Sequence, residues 1–344
     1  MERRDFVKAS ASLAAAAVAS PVEAADGNAP GFPPPETIDK GGMKYRTLGR
    51  TGASVSLVGL GGFHLAKPGG ATEAEAIRIV RSGIDAGLNF CDNCWDYNGG
   101  ESEVRLGKAL RDGYRDRVFL MTKIDGRTAA AALGQLETSL RRLQTGHLDL
   151  LQFHEIIRMD DPERIFAPGG ALEAVLRARD QGKLRHIGFT GHKNPAIHAR
   201  MFEVARQHGF TFDTVQMPVN VMDAHFDSFQ KTIFPIAARA GTAVLAMKTF
   251  GDDFVLKSGV ASPIEMLHYS MSQPVSVVIT GIDSVRILEQ ALQAVRSYQP
   301  MAQPQQNALL ARSAAAARGG GMERYKVSHH FDGTVQNPQW LTEA

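Results

Sequence analysis

Eight times between Leu57 and Arg296 a short apolar run is followed by a longer segment of helical periodicity, and no other feature restricts the fold as tightly. The predicted strands are Leu57 to Leu60, Asn89 to Asp92, Val118 to Lys123, Leu148 to His154, His186 to Gly191, Thr214 to Asn220, Ala243 to Thr249 and Val275 to Gly281. The predicted helices are Thr72 to Gly87, Glu101 to Asp112, Ala129 to Leu143, Ala171 to Gln181, Pro195 to His208, Phe229 to Ala240, Pro263 to Ser272 and Ser284 to Arg296. Thr72 with Glu75 has the spacing of a capping box, and Gly182, Gly209 and Gly241 follow three of the helices. Strict alternation argues for an α/β fold, and eight units of this size close into a (β/α)8 TIM barrel in preference to an open doubly wound sheet. Ahead of them, Tyr45 to Ser56 turns at Thr51-Gly52, an N-terminal hairpin suited to closing the barrel's bottom.

The two ends differ from this rhythm. Arg3-Arg4-Asp5-Phe6-Val7-Lys8 precedes the Ala-rich run Ala9 to Ala19, with small residues around Ala24, so residues 1–24 resemble a twin-arginine export signal. The apolar run is shorter than the roughly 20 residues that span a bilayer, which excludes a stable membrane span. The expected partner is the twin-arginine machinery and the expected location periplasmic, or cytoplasmic if the signal does not function. Residues 25–42, with Pro30, Pro33, Pro34 and Pro35, are expected to form a flexible linker before a barrel at 43–300. Residues 301–344 read as a C-terminal helix and a tail interrupted at Gly319-Gly320-Gly321.

The formal charge is +2, and the 38 basic residues are spread along the chain, so there is no footprint for nucleic acid. Cys91 and Cys94 are the only cysteines, and Cys91, in a strand beside Asp92, must face away from it. Buried thiols are expected rather than a disulfide. No His-x-His pair occurs on the first strand, and His329-His330 falls in the tail, so no metal is expected.

Several strands end on titratable residues. Asp92, Lys123 and His154 fall at consecutive strand ends, and Tyr97 follows Asp92 by five residues. Barrel enzymes collect reactive groups at those ends. With Gly100-Glu101-Ser102-Glu103 opening the next helix, this constellation resembles the aldo-keto reductase family from about Tyr45 to Arg296.

That resemblance implies NAD(P)H-dependent reduction of an aldehyde, ketone or sugar carbonyl, or the reverse oxidation, with NADP favoured over NAD. It implies Tyr97 as proton donor, Lys123 as the cation that lowers its pKa, Asp92 as the group that holds Lys123, and His154 as a hydrogen-bond donor to the substrate oxygen. Its first cofactor loop matches Gly61, Gly62 and Phe63, and Gln216 matches the glutamine that holds the carboxamide. Asp92, Thr190, Met247, Lys248 and Phe250 are further expected cofactor contacts. Gly281, Ser284, Arg286 and Gln290 belong to the phosphate-binding end, where an arginine grips a 2′-phosphate.

His64, Trp95 and Met217 are expected at the substrate. The chain departs from the family at Gly191, where an asparagine is common, and at Met247, where an aromatic ring is common. Gly188 to His192 with Ala246-Met247-Lys248 is closer to a branch carrying an iron–sulfur extension, which a chain without cysteines after Cys94 cannot form. The alternative function is a nucleotide-binding sensor or subunit of this fold with little turnover.

Overall fold

The computed structural model describes residues 32–343. The expected export signal lies outside them. Eight parallel strands close into a barrel: β4 (Val58–Gly61), β5 (Phe90–Asp92), β6 (Phe119–Ile124), β7 (Leu148–Phe153), β8 (Leu184–Thr190), β9 (Thr214–Pro218), β10 (Ala243–Met247) and β11 (Val277–Gly281), with β11 pairing back onto β4. The helices that follow these strands include α1 (Glu73–Asp85), α2 (Glu101–Ala109), α3 (Ala129–Leu143), α5 (Ala171–Asp180), α6 (Pro195–Gln207), α7 (Phe229–Ala240), α9 (Pro263–Met271) and α10 (Val285–Ser297). Two short helices not expected from the sequence interrupt this rhythm, α4 (Asp161–Phe166) and α8 (Phe254–Lys257). The Thr72–Glu75 capping box is present, with Thr72 N–H donating to Glu75 Oε2 at 2.9 Å and Glu75 N–H to Thr72 Oγ1 at 3.3 Å.

The hairpin is β2 (Met43–Thr47) with β3 (Ser54–Ser56), and a further strand, β1 (Ile38–Lys40), pairs antiparallel with β2 inside the stretch expected as linker. Leu48 and Val55 from this sheet join Phe90, Met121, Leu150, Leu245, Val277 and Ile279 in an apolar plug inside the lower barrel. Each such side chain contributes about 1.5–3 kcal/mol when fully buried. The larger apolar cluster lies outside the barrel, between strands and helices.

After α10 the chain forms α11 (Gln303–Ser313), whose Leu309 packs on Val221, Met222 and Met266. It then crosses the mouth through α12 (Arg324–Val327) and α13 (Gly333–Gln336). Lys326 Nζ donates to Asp223 Oδ1 at 2.7 Å and Glu323 Oε2 at 2.9 Å, all three side chains being buried. Farther on, Gly333 and Thr334 N–H donate to the two oxygens of Glu155 at 2.7 and 2.8 Å, and Arg127 N–H donates to Leu341 O at 2.8 Å. No described helix is long and apolar enough to cross a membrane.

Candidate active site

Strand alternation decides which side chains reach the mouth. On β5, Phe90 joins the plug, Cys91 joins the outer core, and Asp92 meets Lys123. On β6, Met121 is in the plug, Lys123 at the mouth and Ile124 in the outer core, so Asp125 returns to the mouth. On β7 the same count carries Leu150 into the plug, Phe153 outward and His154 to the mouth. The barrel therefore grades from an apolar floor to a charged rim.

Lys123 is the junction. Its Nζ donates to Asp92 Oδ1, to Asn93 O at 2.7 Å and to Tyr97 Oη at 3.1 Å. An ammonium has three donors, so Lys123 is saturated and the Tyr97 hydroxyl keeps its own proton for another acceptor. Both members of the Lys123–Asp92 pair are almost wholly out of water. Gln216 Nε2 approaches Asp92 Oδ2 at 3.3 Å and Met247 Sδ at 3.7 Å.

The loop bearing Tyr97 is fixed from two sides. Trp95 N–H donates to Lys123 O at 3.2 Å, Arg142 Nη1 donates to Trp95 O at 2.5 Å, and Asn98 Nδ2 donates to Phe63 O at 2.8 Å. The Arg142 guanidinium leaves no room at Gly100, where a Cβ would come within 2.1 Å of it and φ is +91°.

Lys123 Nζ lies against the Tyr97 hydroxyl, as expected, but the net direction of the phenol's shift is upward. Burial, reinforced by Asp92, Cys94, Asp96 and Glu155, pushes the phenol well above its ordinary value. Asp92 neutralises Lys123, so the phenol faces an ion pair with a surplus of carboxylates around it rather than a free cation.

A second cluster surrounds His154. Its Nδ1 lies 3.1 Å from Asp125 Oδ1, 3.3 Å from Cys94 Sγ and 3.9 Å from Asp96 Oδ1. Burial by itself lowers the imidazole pKa, but the charge and hydrogen bond of Asp125, with Asp96 and Glu155 behind it, raise it above the ordinary value. Burial and the neighbouring Asp125 push Asp96 up to about 6. Sequence reasoning missed Asp96, Asp125, Glu155 and the approach of Cys94. Counting alternation past the end of β6 is the signal that finds Asp125. Cys91 and Cys94 are both free and buried, as expected.

These groups open into a cleft of about 700 Å³ at the strands' C-terminal ends. Tyr97, Lys123 and His154 line it together with the expected cofactor residues Gly61, Phe63, Thr190, Met247, Lys248, Phe250, Gly281 and Gln290. Tail residues His330, Phe331, Gly333 and Gln336 complete the wall. Asp92 and Gln216 sit one layer below, held against each other. Gly62 is buried, its carbonyl accepting from Ser102 Oγ at 2.5 Å, and a Cβ there would strike Asp92 O at 2.6 Å. Ser284 caps α10 through Ile287 N–H at 3.3 Å, while Arg286 is exposed and makes no hydrogen bond or ion pair among the described residues.

Two of the three expected substrate residues, Met217 and Trp95, lie away from the cleft. Met217 is fully buried in the outer core, because Gln216 takes the inward position on β9. Trp95 turns away from the cleft, donating from Nε1 to Asp125 Oδ2 at 2.6 Å and packing edge-on against Trp340, with ring centroids 5.4 Å apart. His64 does line the cleft, but its ring lies against Gly281, on the side expected for phosphate. At Gly191, a Cβ would meet Ile156 O at 2.4 Å and His198 Cε1 at 2.7 Å, so no side chain fits there without a shift of its neighbours.

With this geometry in place, comparison with known proteins assigns the class. Residues 57–266 match the pattern of the Aldo/keto reductase family, and the chain belongs to that family. It is 29% identical over 212 residues to aldo-keto reductase YhdN of Bacillus subtilis (strain 168), covering 57% of this chain and 58% of that one. It is also 33% identical over 159 residues to L-galactose dehydrogenase of Arabidopsis thaliana, covering 43% and 49%. The chain thus spans about half the length of these curated relatives.

Among solved structures, the holo form of aldo-keto reductase AKR11C1 from Bacillus halodurans superposes with a TM-score of 0.65 at 23% identity, covering 81% of this chain and 99% of that one. An aldo/keto reductase from Klebsiella pneumoniae in complex with NADP and acetate gives 0.60 at 23% identity, covering 76% and 92%. At these identities the structural likeness speaks for the fold.

Proposed function

We propose that this chain is an NADP-dependent oxidoreductase that reduces the carbonyl of a small aldehyde, ketone or sugar, and that Asp92, Tyr97, Lys123 and His154 do the chemistry. The observation that carries the reading is the saturated Lys123, which accepts no further partner and leaves the Tyr97 O–H directed to an acceptor outside the Lys123 contact. A nicotinamide, when bound, supplies the hydride.

The residues present fit such a group. Gln216 Oε1 and Thr280 Oγ1 are buried without a hydrogen-bond partner at the mouth ends of β9 and β11, as needed for a polar ring substituent. Gln216, Met247 and Thr190 would hold the ring end, and Gly281, Ser284, Arg286 and Gln290 the phosphate end. The NADP reported in the Klebsiella relative supports the same choice of cofactor.

Tyr97 then donates its proton to the carbonyl oxygen, and the Lys123–Asp92 pair holds the hydroxyl in place. Burial holds the phenol pKa above its ordinary value, so Tyr97 carries its proton at neutral pH and gives it up only as negative charge develops on the carbonyl oxygen. The Glu155 clamp on the tail narrows access to the acid groups. Purified protein mixed with NADPH and a panel of aldehydes, ketones and quinones tests the reading by loss of nicotinamide absorbance. Turnover that is retained in Tyr97→Phe overturns it.

Export belongs to the same proposal and rests on Arg3-Arg4 and the Ala-rich run that follows. Little free NADP is available outside the cytoplasm, so an exported enzyme must carry its nucleotide from before export. Fractionation of cells expressing the wild type and Arg3→Lys/Arg4→Lys decides it, with periplasmic protein expected only from the former.

A further inference from the structure

Asp125 plays no part in the acid chemistry assigned so far, yet it is fully buried and committed on both oxygens. Oδ2 accepts from Trp95 Nε1 at 2.6 Å, and Oδ1 lies 3.1 Å from His154 Nδ1. Its backbone is held too, since Asp125 N–H and Gly126 N–H both donate to Gln135 Oε1, at 2.8 and 2.7 Å. An ionised carboxylate can only accept, so the hydrogen in the contact with His154 belongs to Nδ1. The other ring nitrogen, Nε2, makes no hydrogen bond among the described residues, and His154 lines the cleft.

A neutral imidazole carries one proton. If that proton is fixed on Nδ1, Nε2 presents a lone pair and can only accept. A carbonyl oxygen is also an acceptor, so the neutral ring offers it nothing. We propose that Asp125 is a positioning residue that claims the Nδ1 proton of His154, so that His154 meets a carbonyl oxygen only as an imidazolium, with Nε2–H as the donor.

This rests on the carbonyl-reducing function proposed above. No bond to hydrogen breaks at His154, and Tyr97 remains the group that gives up its proton. The titratable groups around the ring are Cys94, Asp96 and Tyr97 from the loop after β5, Lys123 and Asp125 from β6 and its loop, Glu155 beside His154, and His192 across the cleft. The carboxylates among them favour the cation. The donor is present below the His154 pKa and lost as pH rises through it. Because that pKa is raised, the loss falls above the ordinary imidazole midpoint of about 6.5.

Two measurements on the full chain test this. In ¹⁵N-labelled protein, long-range ¹H–¹⁵N correlation follows each histidine ring, and the signals absent from His154→Gln identify His154. The expected result is Nδ1–H at every pH and a second proton, on Nε2, at neutral pH. Asp125→Asn is expected to lower the midpoint by about one pH unit or more. In turnover, Asp125→Asn should reduce kcat by about tenfold or more at neutral pH and move its alkaline limb by the same interval, leaving NADPH binding unchanged.

A neutral His154 with its proton on Nε2 overturns the proposal, as does a midpoint that Asp125→Asn leaves in place. Cys94, Asp96, Asp125 and His154 place ligand-type atoms within 4.8 Å of one another, so stoichiometric metal in the purified protein, displacing the Nδ1 proton, overturns it as well. If Asp125→Asn fails to fold, the wild-type titration decides alone. If no carbonyl compound is turned over, the functional reading fails while the ring's protonation is still measured.

Discussion

The mouth of the barrel has two unlike sides. Toward β4, β10 and β11 the cleft is lined by Gly61, Gly281, Met247 and the start of α10, with Arg286 free in solvent. Toward β6, β7 and β8 it is lined by ionisable groups that are already paired and covered by the tail, as with Glu155 under Gly333 and Thr334, and Asp332, which pairs with His192 at 3.1 Å and Lys193 at 2.8 Å. An extended anion is recognised by open backbone and a mobile cation, whereas proton donation needs groups fixed in a dry place before the substrate arrives. On the proposed function, the two sides divide those tasks.

The sharpest way to break that division is on the dry side. Tyr97→Phe should lower carbonyl reduction by about 10²–10⁴-fold while nucleotide still binds, as measured by turnover and by quenching of protein fluorescence. Lys123→Met is expected to affect both activity and stability. It leaves Asp92 buried without its cation, a loss of about 3–5 kcal/mol readable by urea unfolding, and removes the hydrogen bond that holds Tyr97.

Crossing to the open side, Arg286→Met should weaken NADPH by about 1.5–3 kcal/mol and leave NADH unchanged by titration calorimetry; equal losses would make Arg286 structural. The tail links the sides. Deleting Tyr325 to Ala344 should speed NADP release by about tenfold or more in stopped-flow displacement, provided the nucleotide is held by closure rather than by the open side alone.

The smallest effect concerns acid. Burial raises the Asp332 carboxyl, but hydrogen bonds from His192 and Lys193 bring it down to about 2. A depressed carboxylate stabilises the fold above its unfolded pKa of about 3.9 and loses that contribution as pH falls through the folded value. Tail protection in hydrogen exchange should therefore fall between about pH 4 and pH 2 in the wild type, and by less in Asp332→Asn.

Much of the barrel was legible because its physics is local. The apolar runs, capping box and helix-stopping glycines are short-range, and α3 and α7 begin and end where the sequence places them. Asp92, Lys123 and His154 were legible because strand ends are. Met217 was misplaced because it lies within β9, where Gln216 takes the inward position, and Trp95 because a loop residue's direction depends on what it packs against, here Asp125 and Trp340 from distant parts of the chain. The tail's path was illegible because its anchors, Lys326 to Asp223 and Gly333 to Glu155, join residues more than a hundred positions apart. The direction of the Tyr97 shift depends first on burial and then on Asp92, Cys94, Asp96 and Glu155, of which only Asp92 was expected there.

Gly191 has a consequence for redesign of the mouth. Because a Cβ there meets both the Ile156 carbonyl and the His198 ring, any side chain at this position requires the segments that follow β7 and β8 to move apart. A contact added at this point of the cleft has to come from a neighbouring position, because the backbone of one segment already fills the space that the other would need.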